Sequence, residues 1–395
     1  MNASVLGPMV DFRVDASIEI GTGHVVRCLT LAKALNNLGV RCRFVCRPHD
    51  GNMLDEITAN GFNILALPTL RSDATRTGST FAHAGWLGTT ARQDAQETID
   101  IMKPNLPDWV VVDHYGIDLA WEVVVRAAGI KVLAVDDLAD RPHHCDALLD
   151  HGLNHGAAEY SRLLTRQTKC FFGPEYALLR PEFAEIRASS LARRQPSPLN
   201  HLIISMGGVD KGNATGRFLA AVVGSTWAEG IEMTVVMGPR APWLEEIRAQ
   251  TANMRGQVKL LVGTNRMAEL MHDADLAIGG AGTSSWERCC LGLPSVLLVL
   301  ADNQKKVATS LEGSGAAWVA ESLPDVMAYL ARLNANPAAL GDLAEMSRKA
   351  AQITDGRGAT KVASFIVDQI GRVSSPVANR HPGAGEANEL AGARN

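Results

Sequence analysis

Two segments of this chain carry residue types that do chemistry, and they lie far apart. The first is Asp15-Ala-Ser-Ile-Glu-Ile-Gly21-Thr-Gly23-His24-Val-Val-Arg27. The second is Ala277-Ile-Gly-Gly-Ala-Gly282-Thr283-Ser284-Ser285-Trp-Glu287. Each follows an apolar run and reads as a strand, a glycine-rich turn and a helix start. That arrangement aims unpaired backbone N–H groups and the positive end of a helix dipole at an anion, usually a phosphate. The first segment adds an imidazole, which accepts a proton near neutral pH and can activate water as a general base. Asp15 and Ser17 stand at the end of its strand, where open α/β sheets bind ligands, and Gly21 and Gly23 permit close approach. The alternative is that His24 only caps a structural turn. In the second segment, Gly282 to Ser285 can present successive N–H groups and hydroxyls to a diphosphate. Glu287, one turn into the helix, can accept both hydroxyls of a ribose.

Other polar groups stand at strand ends. Asp113-His114-Tyr115-Gly116 follows Val110-Val-Val; Tyr115 can donate to a sugar or leaving oxygen, or close the loop. Asp136-Asp137 can raise each other's pKa, bind a divalent cation, or cap a helix. His143-His144-Cys145-Asp146, with His151 and His155, invites a zinc reading. Adjacent loop histidines rarely converge on one ion, however, so no metal site is expected. Met206-Gly207-Gly208-Val-Asp210 is a further turn whose backbone can meet a phosphate. Asp302-Asn303-Gln304 puts amides beside the same cleft, with Asn303 either an N-cap or a holder of water or a substrate oxygen. Cys289-Cys290 reads as core.

Elements with this placement alternate along the chain. Strands are expected at 9–14, 40–45, 62–67, 109–112 and 131–135, with a possible one at 147–149. Helices are expected at 24–38, 52–59, 92–102 and 119–127. In the first helix, apolar residues at 25, 28, 29, 31, 32, 35 and 38 make a broad stripe that Gly39 ends. The second half repeats the style, with strands at 201–205, 232–236, 258–261, 276–278 and 295–300 and helices at 214–223, 243–251, 266–272, 283–291 and 303–312. Short strands separated by helices predict α/β architecture with doubly wound parallel sheets. The expected division is 1–190, 191–372 and a disordered tail 373–395, with an Arg/Ser/Pro-rich linker at 187–200. The Thr/Gly/Ser-rich stretch 70–90 is a candidate flap or an insertion.

The 395 residues suit two domains, and 46% hydrophobic against 20% charged residues supports sizeable cores. A net charge of −4 gives no reason to expect nucleic acid. Seven cysteines without a repeated C-x-x-C pattern fit reduced thiols. No apolar run reaches membrane-spanning length and no leader is evident, so a soluble cytoplasmic protein without a membrane partner is expected.

Taken together, the motifs resemble a known family. They are Gly21-x-Gly-His-x-x-Arg-Cys-Leu29, Asp113-His-Tyr-Gly116, Asp136-Asp-Leu-Ala-Asp-Arg-x-His-x-Cys-Asp146, Gly207-Gly-x-Asp210, Ser284-Ser-Trp-Glu-Arg-Cys-Cys-Leu-Gly-Leu-Pro294 and Asn303-Gln304. In that order they resemble the UDP-2,4-diacetamido-2,4,6-trideoxy-β-L-altropyranose hydrolases of pseudaminic acid biosynthesis, over about residues 9–370. The resemblance implies a GT-B-type fold of two Rossmann-like domains facing across a cleft. It also implies metal-independent, cofactor-free hydrolysis of a UDP-sugar at the anomeric carbon with inversion. By the same resemblance His24 is the base for the attacking water, and Tyr115 and Asn303 are its catalytic companions. Gly282–Ser285 then form the nucleotide loop and Glu287 the ribose contact. A UDP-sugar glycosyltransferase of the same fold differs only in what attacks, and a nucleotide-sugar sensor needs no base. The resemblance leaves the oligomeric state open.

Overall fold

A computed structural model describes residues 7–69, 81–195, 198–254, 258–336 and 338–374. Its strands form two parallel sheets. The first contains β1 (Met9–Val14), β2 (Arg41–Cys46), β3 (Asn63–Ala66), β4 (Trp109–Asp113), β5 (Lys131–Val135), β6 (Ala147–Asp150) and β7 (Lys169–Phe172), in the order β3-β2-β1-β4-β5-β6-β7. The second contains β8 (His201–Ser205), β9 (Glu232–Met237), β10 (Val258–Val262), β11 (Leu276–Gly280), β12 (Ser295–Leu298) and β13 (Trp318–Ala320), in the order β10-β9-β8-β11-β12-β13.

Both orders reverse direction once. The first sheet grows outward from β1 to β3 and then resumes at β4 on the other side of β1. The second does the same between β8 and β11. At such a switch point the loops leaving the two central strands part to opposite faces and open a crevice at the strand C-termini. Register brings the relevant residues to that edge. Val14 pairs with Asp113 across β1 and β4, and Ser205 pairs with Gly279 across β8 and β11.

Packing follows from the alternation in β1. Val10, Phe12 and Val14 face the helix Gly23–Asn37, whose buried residues include Val25, Cys28, Leu31, Ala32 and Leu35. Asp11 and Arg13 point the other way and are fully buried. Arg13 donates to Asp94 and Asp15, and Arg43 donates to Asp11. The last helix, Gly358–Ser374, returns to the first sheet: Ala359, Val362, Ala363 and Ile366 complete the core that the helix Gly23–Asn37 begins.

Most expected elements appear within a residue or two of their bounds. β7 and β13 were not anticipated; each is an edge strand of three or four residues with half-buried positions, too short for a period to register. Leu38, expected in the apolar stripe, is 47% exposed because the helix ends one residue earlier. The stretch read as a linker is helical through Arg193, within a helix Pro181–Arg193. Its arginines do not solvate a loop. Arg187 donates to the carbonyls of Cys290 and Ala351, and Arg193 and Arg194 donate to those of Met271, His272 and Ala274. They satisfy carbonyls around helix C-termini, which have no intrahelical partner. Residues 70–80 of the expected flap and 375–395 of the expected tail lie outside the described residues.

Candidate active site

His24 opens the helix after β1 and is 6% exposed. Its Nδ1 lies 2.6 Å from Oδ1 of Asp113, the last residue of β4. Arg27, one turn further along the same helix, donates to both Asp113 oxygens from Nε at 2.6 Å and Nη2 at 2.7 Å. Nη2 also lies 3.2 Å from His24 Nδ1. Both atoms are donors if Nδ1 carries the proton, and the 2.6 Å contact to a carboxylate requires that it does. The 3.2 Å approach is therefore a neighbour contact, and both groups donate to Asp113. Burial alone would raise the Asp113 carboxyl, but Arg27 and His24 outweigh it and hold the group well below the usual carboxylate range. Asp113 is thus a permanent anion that fixes the ring orientation and tautomer of His24. Nε2 makes no hydrogen bond to the described residues and is the nitrogen left to accept a proton.

The arrangement extends past Arg27. Its Nη1 donates to Asp137 at 3.1 Å, and His151 Nε2 lies 3.2 Å from the same carboxylate. Asp137 also accepts the hydroxyl of Tyr115. Burial would raise Asp137, but Arg27 and His151 lower it well below the ordinary value. Burial and then Asp137 push the Tyr115 phenol up, so it stays a donor. The Tyr115 ring packs edge-on against His24, centroids 4.5 Å apart.

At the second switch point the chemistry is that of the backbone. The N–H groups of Gly282, Thr283 and Ser284 make no hydrogen bond to the described residues. Gln304 Oε1 accepts from the Ala281 and Leu300 N–H groups and ties the loop to the end of β12. Arg288 Nη2 donates to the Gly280 carbonyl at 2.7 Å and to Ser285 Oγ at 2.9 Å, and Nη1 donates to Ser284 Oγ at 3.2 Å. The Glu287 carboxylate makes no hydrogen bond among the described residues; Arg180 Nη2 is 3.9 Å away. Burial raises the Glu287 carboxyl, against the opposing pull of Arg180 and Arg288.

The two turns touch. A Cβ on Gly208 would stand 2.6 Å from Thr22 Oγ1, so a side chain there would displace the Thr22 hydroxyl, and a Cβ on Gly23 would stand 3.3 Å from Thr283 Oγ1. Gly21 and Gly207 hold positive φ at the two loops. Lys306, in the helix after Asn303 and Gln304, donates to the Leu138 carbonyl of the first sheet's loops at 2.6 Å. Asn303 is half-buried in the short turn Asp302–Gln304 and its amide makes no hydrogen bond to the described residues. It is not the N-cap, which Gln304 occupies.

Three expected contacts are corrected. Asp15 is 1% exposed, and its oxygens face Arg13, the Arg47 N–H, His49 and His114; it braces the turn from behind and has no face for a ligand. Ser285 is 1% exposed, its hydroxyl accepts from Arg288 and its N–H donates to the Gly282 carbonyl, so it supports the loop and its N–H is not free for a ligand. The Tyr115 hydroxyl is directed to Asp137 and not to a leaving oxygen. Asp136 and Asp137 are not a carboxylate pair: Arg141 takes one and Arg27 the other. His143 lies between Glu122 and Asp136, and no group of three or more His, Cys, Asp or Glu is arranged to hold a metal ion among the described residues. The roles of Arg27 and Asp113 were missed. The signal for Arg27 was its i+3 spacing from His24, which puts both on one helix face.

Comparison with known proteins adds three kinds of finding. Residues 201–361 match the model of the glycosyltransferase family 28 C-terminal domain. The chain is 25% identical over 305 residues to the UDP-2,4-diacetamido-2,4,6-trideoxy-β-L-altropyranose hydrolase of Campylobacter jejuni, covering 77% of this chain and 96% of that one. It is 24% identical over 296 residues to the uncharacterized protein MJ1062 of Methanocaldococcus jannaschii, covering 74% of this chain but only 56% of that protein's length. Among solved structures, Acinetobacter baumannii MurG superposes with a TM-score of 0.61 at 19% identity, covering 91% of this chain and 99% of that one. The fold is of the GT-B type, two Rossmann-like domains across a cleft. No described helix is long and apolar enough to cross a membrane.

Proposed function

We propose that this chain is an enzyme acting on a UDP-sugar. More finely, it hydrolyses a UDP-linked 2,4-diacetamido-2,4,6-trideoxy sugar at the anomeric carbon in pseudaminic acid biosynthesis. The observation that carries the reading is the His24–Asp113 pair, with one imidazole nitrogen bound and the other free, packed against a glycine loop with unpaired N–H groups. The similarity to the Campylobacter UDP-2,4-diacetamido-2,4,6-trideoxy-β-L-altropyranose hydrolase supports the substrate.

In this reading the diphosphate lies on the N–H groups of Gly282, Thr283 and Ser284, with the Gly207-Gly208 turn beside it. Glu287 accepts the ribose hydroxyls. Water held by His24 Nε2 attacks C1 on the face opposite the nucleotide. Its proton passes to Nε2 as the new C1–O bond forms, and the old C1–O electron pair leaves on the UDP phosphate oxygen, inverting C1. Donors aimed at the departing diphosphate stabilise the charge that develops there. Asn303 steadies the water or a sugar oxygen, and Tyr115 keeps the His24 ring in place. No metal or cofactor has a part.

The test is to incubate the enzyme with UDP-2,4-diacetamido-2,4,6-trideoxy-β-L-altropyranose and no acceptor. UDP should appear at full rate, NMR should show the inverted anomer first, and dialysis against EDTA should leave the rate unchanged. Loss restored by one divalent ion would overturn the metal-free mechanism. The match to a glycosyltransferase domain favours a second reading, transfer of the sugar to a hydroxyl acceptor; UDP release that depends on an added acceptor would replace the first reading with the second.

A further inference from the structure

The short helical turn Ala84–Leu87 is unused by the reaction as described, yet it brings two half-exposed rings to the base. His83 and Trp86 lie with centroids 4.4 Å apart. Trp86 stacks on Tyr115 at 5.8 Å with a 28° interplanar angle, and His83 lies 5.5 Å from Tyr115. Tyr115 in turn meets His24 edge-on. Four rings therefore form one continuous wall that starts at the free imidazole. Burial, with Arg141 and His24, lowers the His83 pKa against the pull of Asp140 and Asp302, so His83 packs as a neutral ring.

The wall is seated by design of the backbone. Leu87 is 1% exposed in the core beneath. A Cβ on Gly116 would stand 3.0 Å from the Leu87 backbone nitrogen and 2.9 Å from the His114 ring. The glycine of the Asp-His-Tyr-Gly motif thus lets the turn settle onto the end of β4. Charged groups stand around the rings: Arg141 lies 5.8 Å over the Tyr115 ring, Asp137 accepts the Tyr115 hydroxyl, and Asp140 acts on His83. Among these charges Trp86 and His83 stay half-exposed, which leaves apolar ring surface available to an apolar partner.

We propose that Trp86, backed by His83, is the platform of the sugar subsite and selects for deoxy, N-acylated pyranoses over fully hydroxylated ones. The inference rests on the reading that a UDP-sugar is bound with its nucleotide on the second domain. Only the sugar then reaches His24, so only the sugar meets the rings beside it. A 6-deoxy sugar with two acetamido groups presents methyl and C–H surface where glucose presents hydroxyls. Burying that surface on an indole face is favourable, whereas burying a hydroxyl there without a partner is costly.

The experiment uses the His24→Asn enzyme, so that ligand survives, and calorimetry with three probes: UDP, UDP-glucose and UDP-2,4-diacetamido-2,4,6-trideoxy-β-L-altropyranose. Adding Trp86→Ala should weaken the diacetamido ligand about tenfold while changing UDP and UDP-glucose less than about twofold. Trp86→Phe should keep most of the affinity. Tryptophan fluorescence supplies a check independent of truncation: the diacetamido ligand should perturb emission beyond the change that UDP causes through Trp286, and Trp86→Phe should abolish that excess. Equal weakening of all three ligands, or of none, overturns the subsite. If the wild-type enzyme releases no UDP yet the sugar-specific loss persists, the hydrolase reading falls and the subsite stands.

Discussion

At the first switch point Arg27, Asp113, His24 and His151 are buried and, with the half-buried Asp137, paired with one another; at the second, the loop from Gly279 to Ser284 carries no charge of its own. The topological position is the same and the materials are opposite. A proton acceptor must have one tautomer and one orientation, and buried charges in a closed network supply both. Such a network is stable only when every member is paired, since removing one partner strands a buried charge at about 3–5 kcal/mol. A diphosphate brings its own charge and its own shape. Its seat needs donors without competing partners, which glycine backbone gives with little reorganisation. The Arg288 side chain shows the same logic: it supports the loop by holding the Gly280 carbonyl, and burial lowers its pKa to about 10.

If the two regions divide the labour this way, substitutions should separate turnover from nucleotide affinity. His24→Asn is expected to lower turnover by roughly 10²–10⁴ while UDP affinity stays nearly constant; single-turnover kinetics at saturating UDP-sugar measure it. A variant that binds and hydrolyses at near wild-type rate would remove His24 as the base. Glu287→Ala should do the reverse. UDP binding by calorimetry should weaken about 10- to 100-fold, the loss of about 1–3 kcal/mol of hydrogen bonding. An unchanged Kd would take the ribose contact away from Glu287. Tyr115→Phe sharpens the comparison inside the first region. With the hydroxyl directed at Asp137, its removal should cost turnover tenfold or less and leave KM little changed. A loss as large as that of His24→Asn would mean that the hydroxyl meets the substrate.

The smallest effect concerns the charge network behind the site. Burial alone would lower His143, but Glu122 and Asp136 outweigh it and raise its pKa from 6.5 to about 9. A group whose pKa is higher in the folded state binds its proton more tightly there. Its stabilisation is therefore fully present below pH 6.5 and is lost as the pH rises through about 9. Urea unfolding at about pH 6 and about pH 10 should show this decline, and His143→Gln should flatten it. The same decline in the variant would assign it to other groups.

The strand–turn–helix segments were legible because glycine, apolar runs and helical spacing are local signals. His24, Gly282–Ser284, Glu287 and Asn303 all lie at the C-terminal edges of parallel strands for that reason. What the sequence hid was pairing. Asp113 reads as a loop cap until β4 is known to lie beside β1, and then it faces His24. Asp15 and Ser285 look like ligand contacts until the arginines that engage them, Arg13 and Arg288, are seen to point inward. The Arg-rich stretch 187–194 resembled a solvated linker because its partners are backbone carbonyls, which no side-chain pattern reveals. Trp86 and His83 were passed over inside a Thr/Gly/Ser-rich stretch whose composition masked the ordered turn at its end.

The last helix, Gly358–Ser374, has a consequence in time. Synthesis runs from the N-terminus, so β1 to β7 and the helix that bears His24 are made first. Yet the apolar face of that helix is closed by Ala359, Val362, Ala363 and Ile366, which are made only after the whole second sheet. The segment from Pro181 to Ala351, by contrast, packs on the second sheet and is complete before the last helix is translated. Domains tend to fold as units when their last contact is available. Released chains truncated after Arg357 should resist protease across the second domain while the first is still cut, and chains extended through Ser374 should be protected in both. The half that leaves the ribosome first is then the last to finish folding.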